Sequence, residues 1–268
     1  MSTSSYKLKI SYEGSKYQGW QIQPDSLKTI QGQLNHALEK ISKSKDISSL
    51  GSGRTDTGVH ALGQIVKVLL PFEIDSYALL KGLNSQLPQD IRVTNCESCS
   101  SSFHPVRDAL WKRYSYYLFL GEIMPPSASK MVTWERGVMD MDAFKEALDV
   151  FVGTHDFLNF STKGTEVKST IRTLYSAQLD EVHGFFPYQN NYAGQLYRVS
   201  FIGNGFLKQM VRLLVGAAIN VAKGKVTPTD IKSFFQLDTT TKIGPVAPPD
   251  GLYLEHVEYD SEWNEIDA

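Results

Sequence analysis

Cysteine is nearly absent from this chain: Cys96 and Cys99 are the only two in 268 residues. Such a C-x-x-C spacing is either a redox motif or half a zinc site, and tetrahedral zinc needs further ligands that no second pair supplies. On a strand, an offset of three also sends the two side chains to opposite faces. The sequence therefore predicts two reduced structural thiols and no metal. Long apolar runs are missing as well. None approaches the ~18 residues of a membrane span, and Met1 to Ser5 lacks the basic-then-apolar order of a signal peptide. These absences predict a cytoplasmic protein with no membrane partner.

Acids are missing from one long stretch, Val182 to Thr229, which still carries Arg198, Lys208, Arg212, Lys223 and Lys225. The whole chain nonetheless has a formal net charge of −2. Six acids (Glu255, Glu258, Asp260, Glu262, Glu265 and Asp267) gather at its end with no Lys or Arg among them. Without them, 27 bases face 23 acids. A basic face is compatible with this distribution, and so is an ordinary mixed surface. With 41% hydrophobic and 21% charged residues, the composition is that of a globular protein of one large or two small domains.

Hydrophobic periodicity divides the chain into strands and helices. Tyr6, Leu8, Ile10 and Tyr12 alternate with polar residues, which predicts a half-buried strand. Thr29 caps a helix whose stripe is Ile30, Leu34, Leu38 and Ile41, with Lys40, Lys43 and Lys45 at its C-terminal end, suited to the dipole and to phosphate. A strand over Gln64–Leu70, a helix over Ser76–Leu87 and a strand over Ile91–Cys96 follow. A strand then alternates through Tyr114, Tyr116, Leu118 and Leu120, ahead of an irregular connection from Gly121 to Gly137. A helix over Asp142–Val152 precedes His155-Asp156, read as a turn cap because neighbours rarely face each other. Strands over Ser169–Leu179 and Leu196–Ile202 are expected to pair. Gly205 launches a helix with Leu207, Met210, Val211, Leu214 and Ala218 buried, placing Lys208 and Arg212 at i and i+4 on one edge. A short helix from Thr227 and a last strand from Leu252 complete an α+β chain. Two strand–helix arrangements, residues 1–103 and 104–268, are expected.

The chemistry concentrates in Gly51-Ser52-Gly53-Arg54-Thr55-Asp56-Thr57-Gly58-Val59-His60-Ala61-Leu62-Gly63-Gln64. Closely spaced glycines allow tight turns and close backbone approach. A carboxylate between such turns, with Arg54 two residues away, can stay ionised and open to a ligand; a surface Arg54–Asp56 pair is the plainer alternative. No second catalytic carboxylate stands nearby, which argues against a paired-acid glycoside hydrolase. No Ser-His-Asp order or metal cluster stands out. A lone carboxylate supported by arginine fits nucleophilic catalysis without a cofactor, and neighbouring positive charge favours its ionised form. Aromatics interleaved with glycine from Tyr12 to Trp20 either stack on bases or close a core corner.

Arg54, Thr55, Asp56, Gly58, Val59, His60 and Gln64 closely resemble the catalytic loop of the tRNA pseudouridine synthase A family, G-R-T-D-x-G-V-H-x-x-x-Q. The resemblance extends from Tyr6 to Val257. Tyr12, Gly14, Tyr17, Gly19, Trp20, Gln21 and Gln23 match the opening Y-x-G-x-x-Y-x-G-W-Q-x-Q. Phe103, Ala109, Arg113, Tyr114 and Tyr116 match a later motif, although Arg107 stands one position late in it. Gly153, His155, Asp156, Phe157 and Phe160 match G-x-H-D-F-x-x-F. Phe206, Leu207, Met210, Val211 and Arg212 match F-L-x-x-M-V-R, and Ala247 to Leu254 match A-P-P-x-G-L-x-L.

This resemblance implies a pseudouridine synthase fold: two ferredoxin-like halves, a mixed and mainly antiparallel central sheet, flanking helices and a cleft between. It implies isomerisation of uridine to pseudouridine in tRNA, at positions 38 to 40 of the anticodon arm, by a homodimer. Asp56 would be the nucleophile, salt-bridged by Arg212, with Arg54 and Tyr114 completing the catalytic set. Lys16, His60, Gln64, Arg113, Tyr114 and Lys208 would meet the substrate, and Lys40, Lys43 and Lys208 the RNA backbone. Two other classes stay open from the residues alone: an RNA-binding module without chemistry, and a hydrolase that releases the excised base. Another RNA site is the alternative within the family.

Overall fold

The computed structural model describes residues 3–45, 47–162, 167–185, 192–237 and 242–261. In chain order the elements are β1 (Ser4–Tyr12), α1 (Ile30–Ser42), β2 (Ser48–Gly51), β3 (His60–Leu70), α2 (Ser76–Gln86) and β4 (Ile91–Ser98). There follow β5 (Trp111–Gly121), β6 (Thr133–Glu135), α3 (Met141–Phe151), β7 (Gly153–Asp156), β8 (Ile171–Val182) and β9 (Gly194–Gly203). The last are α4 (Met210–Ala222), α5 (Pro228–Phe234) and β10 (Leu252–Glu258). The chain divides into two compact units, 1–110 with 253–261, and 111–252.

In the first unit β1 lies between β4 and β3, antiparallel to both. The outer edge of β3 is shared: β2 pairs with it antiparallel at Leu69–Val66, and β10 pairs parallel at His60 and Ala61. The alternation of β1 puts Tyr6, Leu8, Ile10 and Tyr12 into the core, together with Ile30, Leu34 and Leu38 of α1 and Leu79 and Leu83 of α2. Each such side chain contributes about 1.5–3 kcal/mol by burial. Thr29 caps α1 by accepting the Gly32 N–H at 3.2 Å. The strand expected from Gln64 begins four residues earlier, at His60. Its extra length is paired with β10, almost two hundred residues away, a partner that no local pattern announces.

The second unit carries the order β5-β9-β8-β7, antiparallel throughout, with the short β6 parallel to β5 inside the connection expected to be irregular. His155 and Asp156 lie on β7. Asp156 caps the following turn by accepting the Leu158 N–H at 3.0 Å, and His155 Nε2 sits 3.0 Å from the Val152 carbonyl. The helix expected from Gly205 starts only at Met210, after Gln209 in the left-handed region at φ 59°. Lys208 is therefore in the preceding turn and does not share a helical edge with Arg212. Nearly all of α4 is buried, with Arg212 and Asn220 the partly exposed positions. Both serve the segment 243–247, which runs antiparallel to the helix. Arg212 Nε donates to Ala247 O (2.6 Å) and Asn220 Nδ2 to Ile243 O (3.0 Å), while Gly216 abuts Pro245 O between them. Both units are α+β with mainly antiparallel sheets, as expected.

Candidate active site

The loop carrying Asp56 is held from two sides within the first unit. On one side, Trp20 N–H donates to Thr55 O (3.1 Å) and Gly58 N–H to Tyr17 O (3.2 Å). The Tyr12 hydroxyl lies 2.9 Å from Thr55 Oγ1, and burial pushes the Tyr12 phenol well above its ordinary range despite hydrogen bonds to Thr55 and Gln64. On the other side, Gln64 accepts from Ser52 Oγ (2.7 Å) and Gly53 N–H (3.3 Å) and donates to Gly53 O (2.7 Å). One amide side chain thus ties both ends of the Ser52–Gly53 step to β3. Val59 N–H closes the turn on Asp56 O at 3.2 Å. Asp56 is half-buried, while Arg54 and Thr57 on either side are exposed.

Two glycines make this clasp sterically feasible. Gly19 has φ +89°, and a Cβ there would stand 2.5 Å from Thr55 O. At Gly14 a Cβ would stand 1.9 Å from Val59 O, and the Gly14 N–H donates to His60 Nδ1 at 3.0 Å. Neither neighbour is a flexible side-chain end that could yield. We expect Gly14→Ala to cost about 1–3 kcal/mol of stability by overpacking, with turnover lost as the loop shifts. Denaturant unfolding measures the first effect; an unchanged midpoint would show that the clasp tolerates displacement.

Among the residues proposed to meet substrate, His60 is 1% exposed. It accepts from Gly14, stacks on Tyr253 at 4.6 Å and has Glu13 Oε1 3.7 Å away. Gln64 is 0% exposed and spends its amide on the loop. Lys16 is mostly exposed and pairs with Asp90 at 3.2 Å, the same carboxylate that accepts from the Tyr17 hydroxyl at 2.6 Å. Tyr12, Tyr17 and Trp20 are all buried, so these aromatics close a core corner. The glycines between them let their rings pack inward. Tyr114 on the second unit's sheet is buried too, at 8% exposed.

In the second unit Tyr114 is on β5 opposite Phe201, with the Phe206 ring edge-on at 4.9 Å. Arg113, its neighbour on the strand, points to the other face and lies over Trp111 at 6.0 Å. The basic residue sharing Tyr114's face is Lys112. Sequence reasoning passed over it although an i−2 offset on a strand was the available signal. Lys208 is exposed, with its carbonyl accepting from Thr162 N–H at 3.2 Å. The acid-free stretch is not acid-free in space. Arg198 pairs with Asp180 at 2.9 Å across β8 and β9, and Lys223 pairs with Glu135.

The acidic end is likewise part of the fold up to Tyr259. Burial would raise the Glu258 carboxyl, but hydrogen bonds from Asp260 N–H, His256 and Tyr259 N–H outweigh it and hold the group down at about 2. Tyr259 donates to Pro105 O (2.7 Å), meets Phe103 edge-on and carries Lys7 over its ring at 5.0 Å. Glu262, Glu265 and Asp267 lie outside the described residues. Cys96 and Cys99 are free and partly buried, and burial pushes the Cys96 thiol up to about 11, which leaves it protonated and a poor nucleophile at neutral pH. No helix among the described residues is long and apolar enough to cross a membrane.

A family model described as tRNA pseudouridine synthase matches residues 9–106 and 147–260. Among curated relatives, "tRNA pseudouridine synthase A 1" of Protochlamydia amoebophila is 37% identical, over 96% of this chain and 97% of that protein. "tRNA pseudouridine synthase A" of Ligilactobacillus salivarius is 35% identical over 97% and 98% respectively, and that of Geobacillus kaustophilus 33% over 97% and 96%. A solved Cbf5–Nop10–Gar1 complex matches with a TM-score of 0.33 at 13% identity, over 80% of this chain and 45% of that one. By the family match and by full-length relatives above 30% identity, the chain belongs to the tRNA pseudouridine synthase family.

Proposed function

We propose that this protein converts uridine to pseudouridine in tRNA, at positions 38 to 40 of the anticodon arm, with Asp56 as nucleophile. The observation that carries the reading is the clasped Arg54-Thr55-Asp56 turn. The backbone there is tied on both sides by hydrogen bonds while the carboxylate-bearing residue stays half-exposed. A nucleophile needs that combination of fixed position and access. In the reaction the C1′–N1 glycosidic bond breaks and its electron pair leaves with the uracil. Asp56 adds either to C1′ of the sugar or to C6 of the base. After the base turns, C5 bonds to C1′, the C5 proton is lost, N1 takes up a proton and Asp56 is released. Atoms and electrons balance without a co-reactant.

Arg54, Tyr114 and Arg212 fill the remaining catalytic roles. Arg212 supports the carboxylate electrostatically, Tyr114 stands against the target base, and Lys16, Arg113 and Lys208 meet the RNA. Lys40 and Lys43, exposed at the end of α1, suit backbone phosphate. The target nucleotide leaves the stack at a cost of a few kcal/mol. Family membership supports action on tRNA in the cytoplasm by a homodimer. Mass-spectrometric mapping of pseudouridine in tRNA from cells lacking the protein tests the reading: loss at 38 to 40 is expected, and loss elsewhere would move the site.

Binding should be electrostatic despite the net charge. Affinity for tRNA is expected to fall linearly with salt on log–log axes, because bound phosphates release counterions. Removing the residues after Tyr259 takes away four acids and spares the anchored Tyr259, so binding should stay equal or tighten. Salt-insensitive affinity would mean that the partner is not a polyanion. Lost binding in a folded truncation would make the acidic end part of the site.

A further inference from the structure

Residues paired across antiparallel strands share a face, as do residues two apart on one strand. Lys112 precedes Tyr114 by two on β5 and faces Gly203 of β9, which faces Leu174 of β8. Arg172 precedes Leu174 by two, so Lys112, Tyr114 and Arg172 project from one face of the second unit's sheet. Arg172 also lies alongside Gly205, its Nε 3.4 Å from where a Cβ would stand. The next residue, Phe206, is the one set edge-on to Tyr114 at 4.9 Å. Gly205 and Phe206 thus link the arginine to the tyrosine, and Lys112 reaches it directly along the strand.

We propose that Lys112 and Arg172 form a seat for a backbone phosphate of the RNA, beside the nucleotide presented to Tyr114. This rests on the reading of tRNA as substrate and adds two positioning residues that no motif match supplied. Burial and the nearby charge of Arg172 lower the Lys112 ammonium to about 8, and burial lowers Arg172 too. Lys112 is 8% exposed and Arg172 partly exposed; the two like charges repel each other, and an anion with several acceptor oxygens set between them relieves that repulsion. Arg172 is braced for the role. Its Nη1 donates to Ser169 O at 2.9 Å and Ile171 O at 2.6 Å, which fixes the guanidinium against its own strand. A phosphate fixed there would hold the RNA backbone while the base leaves the stack, a contact that positions without reading sequence.

The test uses an unmodified tRNA transcript and the variants Lys112→Met, Lys112→Arg and Arg172→Gln, each checked for folding by circular dichroism. Binding is measured as a salt series, and turnover as a separate assay. One lost phosphate contact lowers the slope of log affinity against log salt by about 0.9. Lys112→Met and Arg172→Gln should each show that drop, with affinity reduced roughly 3–10-fold at moderate salt. KM should rise while kcat changes by less than about threefold, the signature of lost uniform binding. Lys112→Arg should keep the wild-type slope. If Lys112→Met does not fold, Arg172→Gln carries the test, because its side chain is partly exposed. Unchanged slopes in folded Arg172→Gln and Lys112→Met overturn the seat, as does an equal drop in Lys112→Arg. Asp56→Asn run alongside separates the two claims. If it keeps turnover while the slopes fall, the nucleophile assignment fails and the phosphate seat stands.

Discussion

Asp56→Asn is expected to bind tRNA with near wild-type affinity and to form no detectable pseudouridine. The amide matches the carboxylate in shape, and the hydrogen bonds that tie the loop through the backbone of Thr55, Asp56 and Gly58 and through the side chain of Gln64 survive the exchange. What disappears is the anionic oxygen proposed to attack. Removing a nucleophile costs about 10⁴-fold or more in kcat where no second group can replace it, and no other carboxylate stands in the motif. Separate measurements of Kd and single-turnover rate distinguish lost chemistry from lost binding. A variant that retained even a tenth of wild-type turnover would end the assignment. One that lost binding as well would point to a loop that had collapsed.

Arg212→Met should lower kcat by about 10²–10³-fold, the usual effect of deleting one charged group that stabilises a reacting anion. Met keeps much of the volume and removes the charge. The arginine also holds Ala247 against α4 through a 2.6 Å hydrogen bond, so some stability is lost too, about 1 kcal/mol for a single such bond. Unfolding midpoints measure that part. Arg212→Lys separates the roles: it keeps the charge and loses the planar fork, and should recover part of kcat without restoring the Ala247 contact. A kcat within threefold of wild type in a folded Arg212→Met would remove Arg212 from the catalytic set.

Local pattern determined much of the architecture. The alternation Tyr6, Leu8, Ile10, Tyr12 gave a strand because side chains two apart share a face. Thr29 and Thr227 each start a helix, because a hydroxyl can satisfy an orphan N–H in the first turn. The glycines of the Asp56 motif marked a turn, because closely spaced glycines allow tight backbone bends. The strand and the helix starts are settled within a few residues, by sterics and hydrogen bonding that do not depend on distant partners. The clasp on the Asp56 loop is not, since it draws on Tyr12, Gly14, Tyr17, Gly19 and Trp20.

Tertiary structure decided whatever depends on a partner far along the chain. The early start of β3 at His60 rests on Tyr253 and Leu254. His60 and Gln64 read as ligands in the motif, yet their side chains are spent on Gly14 and Gly53. The basic run through Arg198 and Lys223 leaves a basic face and a mixed surface equally open until Asp180 and Glu135 pair with it. Strand register likewise made Lys112, not Arg113, the cation on Tyr114's face. Charge and hydrogen-bonding capacity are properties of a residue type and can be read in sequence. Whether a neighbour has already claimed them is a property of proximity, which only the folded chain creates.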